Sequence, residues 1–221
     1  MILYVNGDSH STGHGIINSA GMTENDFQYE HIEEAPYPDN FVHSWGYKLA
    51  ELLDAPLVCQ ALSGGSLDRS IRTTRNFVYQ SNKKVFVIIG IPSFERIEVK
   101  HNGRWYQFNL GDHTRYPDRL HLQFKEWLSN VGNYRQYHKP VLEKLYTFHL
   151  ELNQLNVPHY FFNTEQTIEE YRFNFNHSYD SKFSLNNWCK EKGFIPDNWS
   201  HFKQDAQYSF AKDFLLDKIR L

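Results

Sequence analysis

Apolar residues in this chain fall into short continuous runs separated by stretches in which they recur at helical spacing. Three continuous runs, at 2–5, 55–62 and 83–90, each end at a turn that contains glycine, and each predicts a buried strand. The run KKVFVIIG at 83–90 is β-branched and unbroken, which is typical of a strand covered on both faces of a parallel sheet. A fourth run, PHYFFN at 158–163, predicts a further strand.

Four other stretches predict helices, and they are 42–53, 67–80, 139–155, in which Pro140 suits the first turn, and 205–219. Residues 95–110 carry Asn102-Gly103 between alternating segments, which predicts a β-hairpin. In this hairpin we expect the charges of ERIEVK (95–100) to be solvated. The remaining stretches predict a loop at 16–40, weak helical character at 111–138 and an irregular polar insert at 164–192.

Strands that alternate with helices predict an α/β fold, here a three-layer α/β/α sandwich with a mostly parallel central sheet and a hairpin insertion near 95–110. A chain of 221 residues is long enough for one sizeable core, and we expect a single domain over 1–221. In such folds ligands bind at the carboxyl ends of the strands, near the point where the strand order reverses. The turns at 6–9, 63–66 and 90–93 each follow a predicted strand, so we expect all three at one edge of the sheet.

Charge and composition argue against several classes of partner and location. The net charge of −3 shows no basic surplus, so no nucleic-acid partner is expected. Cys59 and Cys189 form neither a disulfide framework nor a metal-binding pair. The sequence shows no basic, apolar leader and no run of about 20 apolar residues, so we expect a soluble protein made in the cytoplasm, without a signal peptide or membrane span.

The stretch VNGDSHSTGHG at 5–15 concentrates reactive side chains directly after the first strand. Ser9 lies just past the strand end and could act as a nucleophile if a neighbouring base takes its proton. Its own N–H and those of the Gly64-Gly65 turn could point into one oxyanion pocket, because glycine lets the backbone approach a substrate closely. The same stretch is also compatible with a plain polar turn whose side chains satisfy backbone groups.

Position selects the candidate base among the 12 histidines. His10 and His14 are too close along the chain to approach Ser9 from across a cleft, and we expect them to be solvent-facing or hydrogen-bonded. His201 precedes the last predicted helix and could extend over Ser9. Asp197, four residues earlier, could hold the imidazole tautomer, as the acid does in a Ser-His-Asp arrangement.

These residues resemble a known family. GDSHS at 7–11, the glycine turns after the second and third strands and the late histidine are similar to the SGNH (GDSL-like) hydrolases. The resemblance covers about residues 2–216. Its stretch HSWGYKLAELLDAPLVCQALSGGSLDRSIRTT at 43–74 looks most like the compact GDSL-like proteins of phages and some bacteria.

The resemblance implies a serine ester hydrolase that needs no metal or organic cofactor. By this resemblance Ser9 is the nucleophile of an acyl-serine intermediate, His201 is the base and Asp197 is its orienting acid. The N–H groups of Ser9 and Gly64 would contribute to the oxyanion hole. A carbohydrate O-acetyl ester fits as substrate, and a lipid or small acyl ester is also open.

Two positions depart from the family pattern. The family places the acid three residues before the histidine, where this chain has Asn198, and Asp197 stands one residue further back. The third block of the family reads Gly-x-Asn-Asp, and its Asn side chain completes the oxyanion hole. Here the block reads Gly90-Ile91-Pro92-Ser93, which leaves Ser93 as the candidate substitute.

Two alternatives follow from these features. A catalytically weak or inactive SGNH-like scaffold, used as a carbohydrate-binding protein or as a structural component of a virus particle, is consistent with the missing Asn. Asp8-Ser9-His10 also fits the Asp-x-His opening of binuclear metallophosphoesterases, in which both residues bind metal. The later Asp- and His-containing blocks of that family are missing from the sequence.

Overall fold

The computed structural model describes residues 1–16, 38–108, 118–131, 134–167, 173–197 and 201–219. Within these residues the strands are β1 (Ile2–Asn6), β2 (Leu57–Cys59), β3 (Val85–Ile91), β4 (Ile97–His101), β5 (Arg104–Phe108), β6 (His159–Asn163) and β7 (Tyr179–Ser184). The helices are α1 (Ser9–Thr12), α2 (Pro38–Phe41), α3 (Trp45–Leu53), α4 (Leu67–Gln80), α5 (Asp118–Val131), α6 (Tyr134–Gln154), α7 (Leu185–Glu191), α8 (Gln204–Phe210) and α9 (Leu216–Ile219). A π-helical turn at Ala211–Leu215 joins α8 to α9.

The central sheet has the strand order β2-β1-β3-β6-β7, and every neighbouring pair in it is parallel. From β1 the chain runs outward to β2 and then returns past β1 to β3, so the strand order reverses between β1 and β3. Folds of this kind form their ligand crevice at that point, at the carboxyl ends of the strands. The turns after β1 and β3, which carry Ser9 and Ser93, therefore border the crevice.

Alternation along the central strands divides the apolar side chains between two cores, because successive residues of a strand point to opposite faces. One face packs against α3 and α8, and its core includes Leu3, Val5, Trp45, Leu49, Ile88, Phe162 and Phe210. The other face packs against α4 and α6, and its core includes Tyr4, Ile71, Val87, Ile89, Leu145, Phe148 and Phe161. All of β3 is buried, as its composition predicts. The predicted three-layer α/β/α sandwich is confirmed.

The predicted hairpin is also confirmed, since β4 and β5 pair antiparallel on either side of Asn102-Gly103. Both turn residues have positive φ, 47° at Asn102 and 80° at Gly103, as a two-residue hairpin turn requires. The helix predicted at 67–80 is confirmed at both ends by α4. Pairing in β2 covers only the centre of the strand predicted at 55–62.

The prediction of an irregular insert at 164–192 was wrong in its second half, which contains β7 and α7. β7 lies at the edge of the sheet and pairs only with β6 among the described strands. Its Asp180 and Lys182 are exposed between buried or half-buried neighbours, so the strand carries too few apolar residues to be recognised from sequence. Residues 168–172 of this stretch lie outside the described residues.

The predicted start of the helix at 139 was also wrong, because α6 begins at Tyr134 and contains Pro140 in its interior. Its first turns, YRQYHK, carry no apolar period that could have indicated a helix. The stretch 111–138 contains α5, whose Leu120, Phe124 and Trp127 pack on Phe108 of the hairpin. Of the loop predicted at 16–40, residues 17–37 lie outside the described residues, and 38–41 form α2. Among the helices that the structure describes, none is both long and apolar enough to cross a bilayer.

Candidate active site

The turn after β1 brings Ser9 to the first position of α1. Gly7 makes this turn with φ of 140°, and a Cβ on Gly7 would lie 2.5 Å from the carbonyl oxygen of Gly90. The ends of β1 and β3 therefore approach as closely as their backbones allow, which only glycine permits. Asp8 caps α1 by accepting the backbone N–H of His10 at 3.1 Å. The cap orients the turn that carries Ser9.

Ser9 and His201 lie in hydrogen-bond contact although 192 positions separate them in the chain. The distance from His201 Nε2 to Ser9 Oγ is 2.9 Å. His201 comes from the loop before α8, and Ser9 is 6% exposed beneath it. This distance lies within the range in which a histidine can take a proton from a serine hydroxyl.

Asp197 lies beside His201 but bonds its backbone rather than its ring. Oδ1 of Asp197 accepts the backbone N–H of His201 at 2.9 Å, and the backbone N–H of Asp197 donates to the carbonyl of His201 at 2.8 Å. The same Oδ1 is 3.9 Å from Nδ1 of His201, which has no hydrogen-bond partner within the described residues. Asn198 lies outside the described residues. The orienting role of Asp197 therefore stays a prediction.

Burial strongly perturbs the imidazole of His201. Desolvation, and then the charges of His10, His14 and Arg96, lower the pKa of His201 from 6.5 to about 2. The rings of His10 and His14 each lie with their centroids 5.0 Å from that of His201. The ring of His201 is consequently neutral well into the acid range.

The glycine turn after β2 is hydrogen-bonded to the Ser9 turn, since Leu62 N–H donates to the carbonyl of Gly7 at 3.1 Å. Gly64 has φ of 71°, which suits glycine. The N–H of Gly65 is already used, because it donates to the carbonyl of Leu62 at 2.8 Å. This arrangement leaves the N–H of Gly64 as the candidate oxyanion donor of the turn.

Ser93 follows β3 and is half-buried. Its hydroxyl lies 3.5 Å from Oε2 of Glu95. Within the described residues it makes no hydrogen bond to Ser9 or His201. The structure thus brings Ser9, His201 and Asp197 together and places Ser93 on the bordering loop, with its hydroxyl turned toward Glu95.

Sequence reasoning missed a charged network beneath Ser9, formed by residues that follow β1, β3 and β6. Nη1 of Arg96 donates to Oδ2 of Asp8 at 3.0 Å, and its Nη2 lies 3.7 Å from Oε1 of Glu165. Nε2 of His10 lies 3.6 Å from the same oxygen of Glu165. His10, and then the charge of Arg96, lower the pKa of Glu165 against the opposing effect of its burial. Charged contacts therefore connect the segments that follow three neighbouring strands, β1, β3 and β6.

Two expectations fail at this network. His10 is not solvent-facing, because it is 1% exposed, and neither of its ring nitrogens has a hydrogen-bond partner within the described residues. The charges of ERIEVK are not all solvated either. Arg96 points into the site, and the buried carboxylate of Glu98 accepts both Nε and Nη2 of Arg72 at 2.7 Å. The sequence feature that could have indicated this network is Arg96, which follows the glycine-containing turn at 90–93.

Asp8, His10 and Glu165 place their ligand atoms within 4.8 Å of one another, which is the spacing of a metal site. In this structure, however, the positive charge between the two carboxylates is the Arg96 guanidinium. A metal ion at this position would have to displace Arg96 from a completely buried carboxylate.

Comparison with known proteins adds little to this geometry. No family model matches the chain, and no curated protein matches it at a significant level. Among solved structures, the chain is similar to a "putative lipolytic protein of G-D-S-L family" from Desulfitobacterium hafniense DCB-2, at 13% identity and a TM-score of 0.30, over 72% of this chain and 76% of that one. At that distance the likeness assigns neither a family nor an activity, and the candidate site stands on its own geometry.

Proposed function

We propose that the chain is a serine ester hydrolase in which Ser9 is the nucleophile and His201 the general base. The observation that carries this proposal is the 2.9 Å hydrogen bond between His201 Nε2 and Ser9 Oγ. A serine hydroxyl is a weak nucleophile until such a base takes its proton. The position of the pair beside the reversal of strand order, where α/β folds bind their ligands, also supports it.

The proposed reaction has two halves. Ser9 Oγ attacks the carbonyl carbon of the ester as its proton passes to His201 Nε2. The backbone N–H groups of Ser9 and Gly64 bind the oxyanion that forms. The intermediate then expels the alcohol, which takes the proton from His201, and leaves an acyl group on Ser9. Water, deprotonated by His201, releases the acid and restores Ser9. No cofactor takes part.

The substrate in this proposal is a carboxylic ester, with a carbohydrate O-acetyl ester and a lipid ester as the two candidate classes. In its first half the reaction needs only the residues named above. In its second half it needs a water molecule.

The test combines turnover with covalent labelling. We expect the wild-type protein to hydrolyse p-nitrophenyl acetate and to gain one phosphonyl group from an organophosphonate probe, read by intact mass. Ser9→Ala should take no label and lose turnover at least about a thousandfold. Ser11→Ala is the matched control from the same turn. The Ser11 hydroxyl makes no hydrogen bond within the described residues, so this variant should remain labelled and active. Turnover that survives in Ser9→Ala contradicts the proposal.

A second candidate is a non-catalytic SGNH-like protein that binds carbohydrate or forms part of a virus particle. It is favoured by the 3.9 Å separation of Asp197 from Nδ1 of His201, which leaves the imidazolium without a hydrogen-bonded carboxylate. In that case the wild-type protein takes no phosphonate label and hydrolyses neither aryl esters nor acetylated sugars. The same experiment therefore decides between the two.

A further inference from the structure

A cavity of about 280 Å³ lies next to Arg96, on the face of the sheet that α4 and α6 cover. Its inner wall is apolar and includes Leu67 and Phe94, which are both buried. Ile97 and Val141 complete this wall and are half-buried. Leu67 is the first residue of α4 and follows the Gly64 turn in the chain.

Arg96 forms the polar end of the cavity and connects it to the Ser9 turn. The guanidinium carries five N–H donors. One of them bonds Asp8 at 3.0 Å, and Nη2 faces Glu165 at 3.7 Å. Within the described part of the chain no other acceptor lies in hydrogen-bond range of Arg96. Donors therefore remain for the oxygen of a ligand.

The opposite side of the cavity is open. It is formed by exposed Pro140 and by Lys144, whose Nζ bonds Oδ1 of Asp68 at 2.7 Å. A ligand can enter between α4 and α6 at this rim, pass the apolar wall and reach the guanidinium. An apolar chain that ends in a carbonyl or carboxylate group matches that order of surfaces.

We propose that this cavity binds the acyl chain of the substrate, and that the enzyme acts on esters of unbranched, medium-length carboxylic acids. This inference rests on the proposed function and makes it more specific. Arg96 binds the carboxylate oxygen of the released acid, while the chain lies along Leu67, Phe94, Ile97 and Val141. An acetyl group would leave the apolar wall uncovered.

Binding of the acids tests the cavity without any turnover. Isothermal titration should show octanoate binding at least tenfold tighter than butanoate, because each methylene that leaves water contributes about fourfold. Val141→Phe fills the cavity and should remove that preference by weakening octanoate binding to the level of butanoate binding. Leu150→Phe places the same side chain on the exposed face of the same helix and should change neither. Ile97→Phe is the second filling variant, for use if Val141→Phe does not fold.

Turnover of p-nitrophenyl butanoate and octanoate separates this inference from the proposed function. Octanoate ester preference that disappears in Val141→Phe supports both. Hydrolysis of both esters without any such preference, or octanoate binding no tighter than butanoate, overturns the acyl cavity and leaves the serine hydrolase standing. The protein could instead hydrolyse neither ester while octanoate binding is lost in Val141→Phe. That result would support the cavity as a carboxylic-acid site and overturn the proposed hydrolase.

Discussion

The carboxylate of Asp197 accepts the backbone N–H of His201 at 2.9 Å and stands 3.9 Å from Nδ1 of the same residue. Asp197, the acid predicted to orient the imidazole, is therefore bonded to the backbone of His201 and not to its ring.

Asp197→Asn should consequently have a small effect. The amide oxygen of Asn can still accept the backbone N–H of His201, so the loop is kept, and we expect ester turnover to fall by about tenfold. Loss of the acid from a hydrogen-bonded triad costs about 10⁴. Steady-state kinetics measures the difference, and Asp205→Asn, at the start of α8, is the control. A loss near 10⁴ would mean that Asp197 reaches Nδ1 during the reaction.

The pH profile of kcat/KM should lack the acid limb of an ordinary histidine base. The pKa of His201 is lowered from 6.5 to about 2 by burial and then by His10, His14 and Arg96. Because kcat/KM reports the base of the free enzyme, activity should be flat from about pH 8 down to about pH 5. Circular dichroism at each pH provides the control for folding. A decline centred near pH 6.5 would contradict the perturbed base.

Arg96→Gln should destabilise the protein strongly, because it leaves the completely buried carboxylate of Asp8 without its cation. Breaking a buried pair in this way costs about 3–5 kcal/mol in the free energy of unfolding. Arg75→Gln breaks the more exposed pair with Glu151 and should cost at most about 1 kcal/mol. Urea unfolding of both variants compares them directly. Equal losses would show that Arg96 is an ordinary surface partner.

Gly7→Ala should lower the free energy of unfolding by more than the strain of its backbone conformation alone would. A Cβ at Gly7 lies 2.5 Å from both the Gly90 carbonyl and the Ser11 hydroxyl, whereas a Cβ at Gly103 meets nothing within 4 Å. Gly103→Ala, at φ of 80°, is the control in which the added Cβ meets no neighbour, and it should cost about 1 kcal/mol. We expect Gly7→Ala to lose about 2 kcal/mol more and to impair turnover, read by thermal unfolding and ester kinetics. Equal melting temperatures would show that the close approach is not tight.

A buried histidine pair far from the site should make the fold sensitive to acid. His149 Nδ1 and His159 Nε2 lie 2.8 Å apart, and burial lowers the pKa of His159 from 6.5 to about 4. A lowered pKa means that the unfolded chain takes up the proton first. Stability from this group is therefore full above pH 6.5 and is lost as the pH falls toward about 4, by about 3 kcal/mol in total.

Urea unfolding at several pH values between these limits measures that loss. His159→Asn should flatten the pH dependence, while His121→Gln, a partly exposed histidine on α5, should leave it unchanged. A pH dependence that is the same in His159→Asn and in the wild-type protein would assign it to other groups.

The sequence was enough to predict the order of the main elements and the edge at which the chemistry gathers. Continuous apolar runs identified β1, β3 and β6, because strands covered on both faces of a sheet consist mostly of apolar residues. The strand β7 escaped notice since an edge strand is half polar. The beginning of α6 was missed because its first turns are polar and aromatic, so they show no helical period.

At the site, the sequence by itself determined which residues follow the strands and which histidine precedes the last helix, and so selected Ser9, Gly64 and His201 as candidates. Only the tertiary structure decided their relations, because hydrogen bonds across 192 positions depend on how strands and loops pack, not on local spacing. In the folded chain Asp197 accepts a backbone N–H, and His10 is buried. Arg96, whose charge was predicted to be solvated, binds the buried carboxylate of Asp8 next to the nucleophile in the chain. A charge buried at Asp8 requires a partner, and the fold supplies one from a neighbouring strand end.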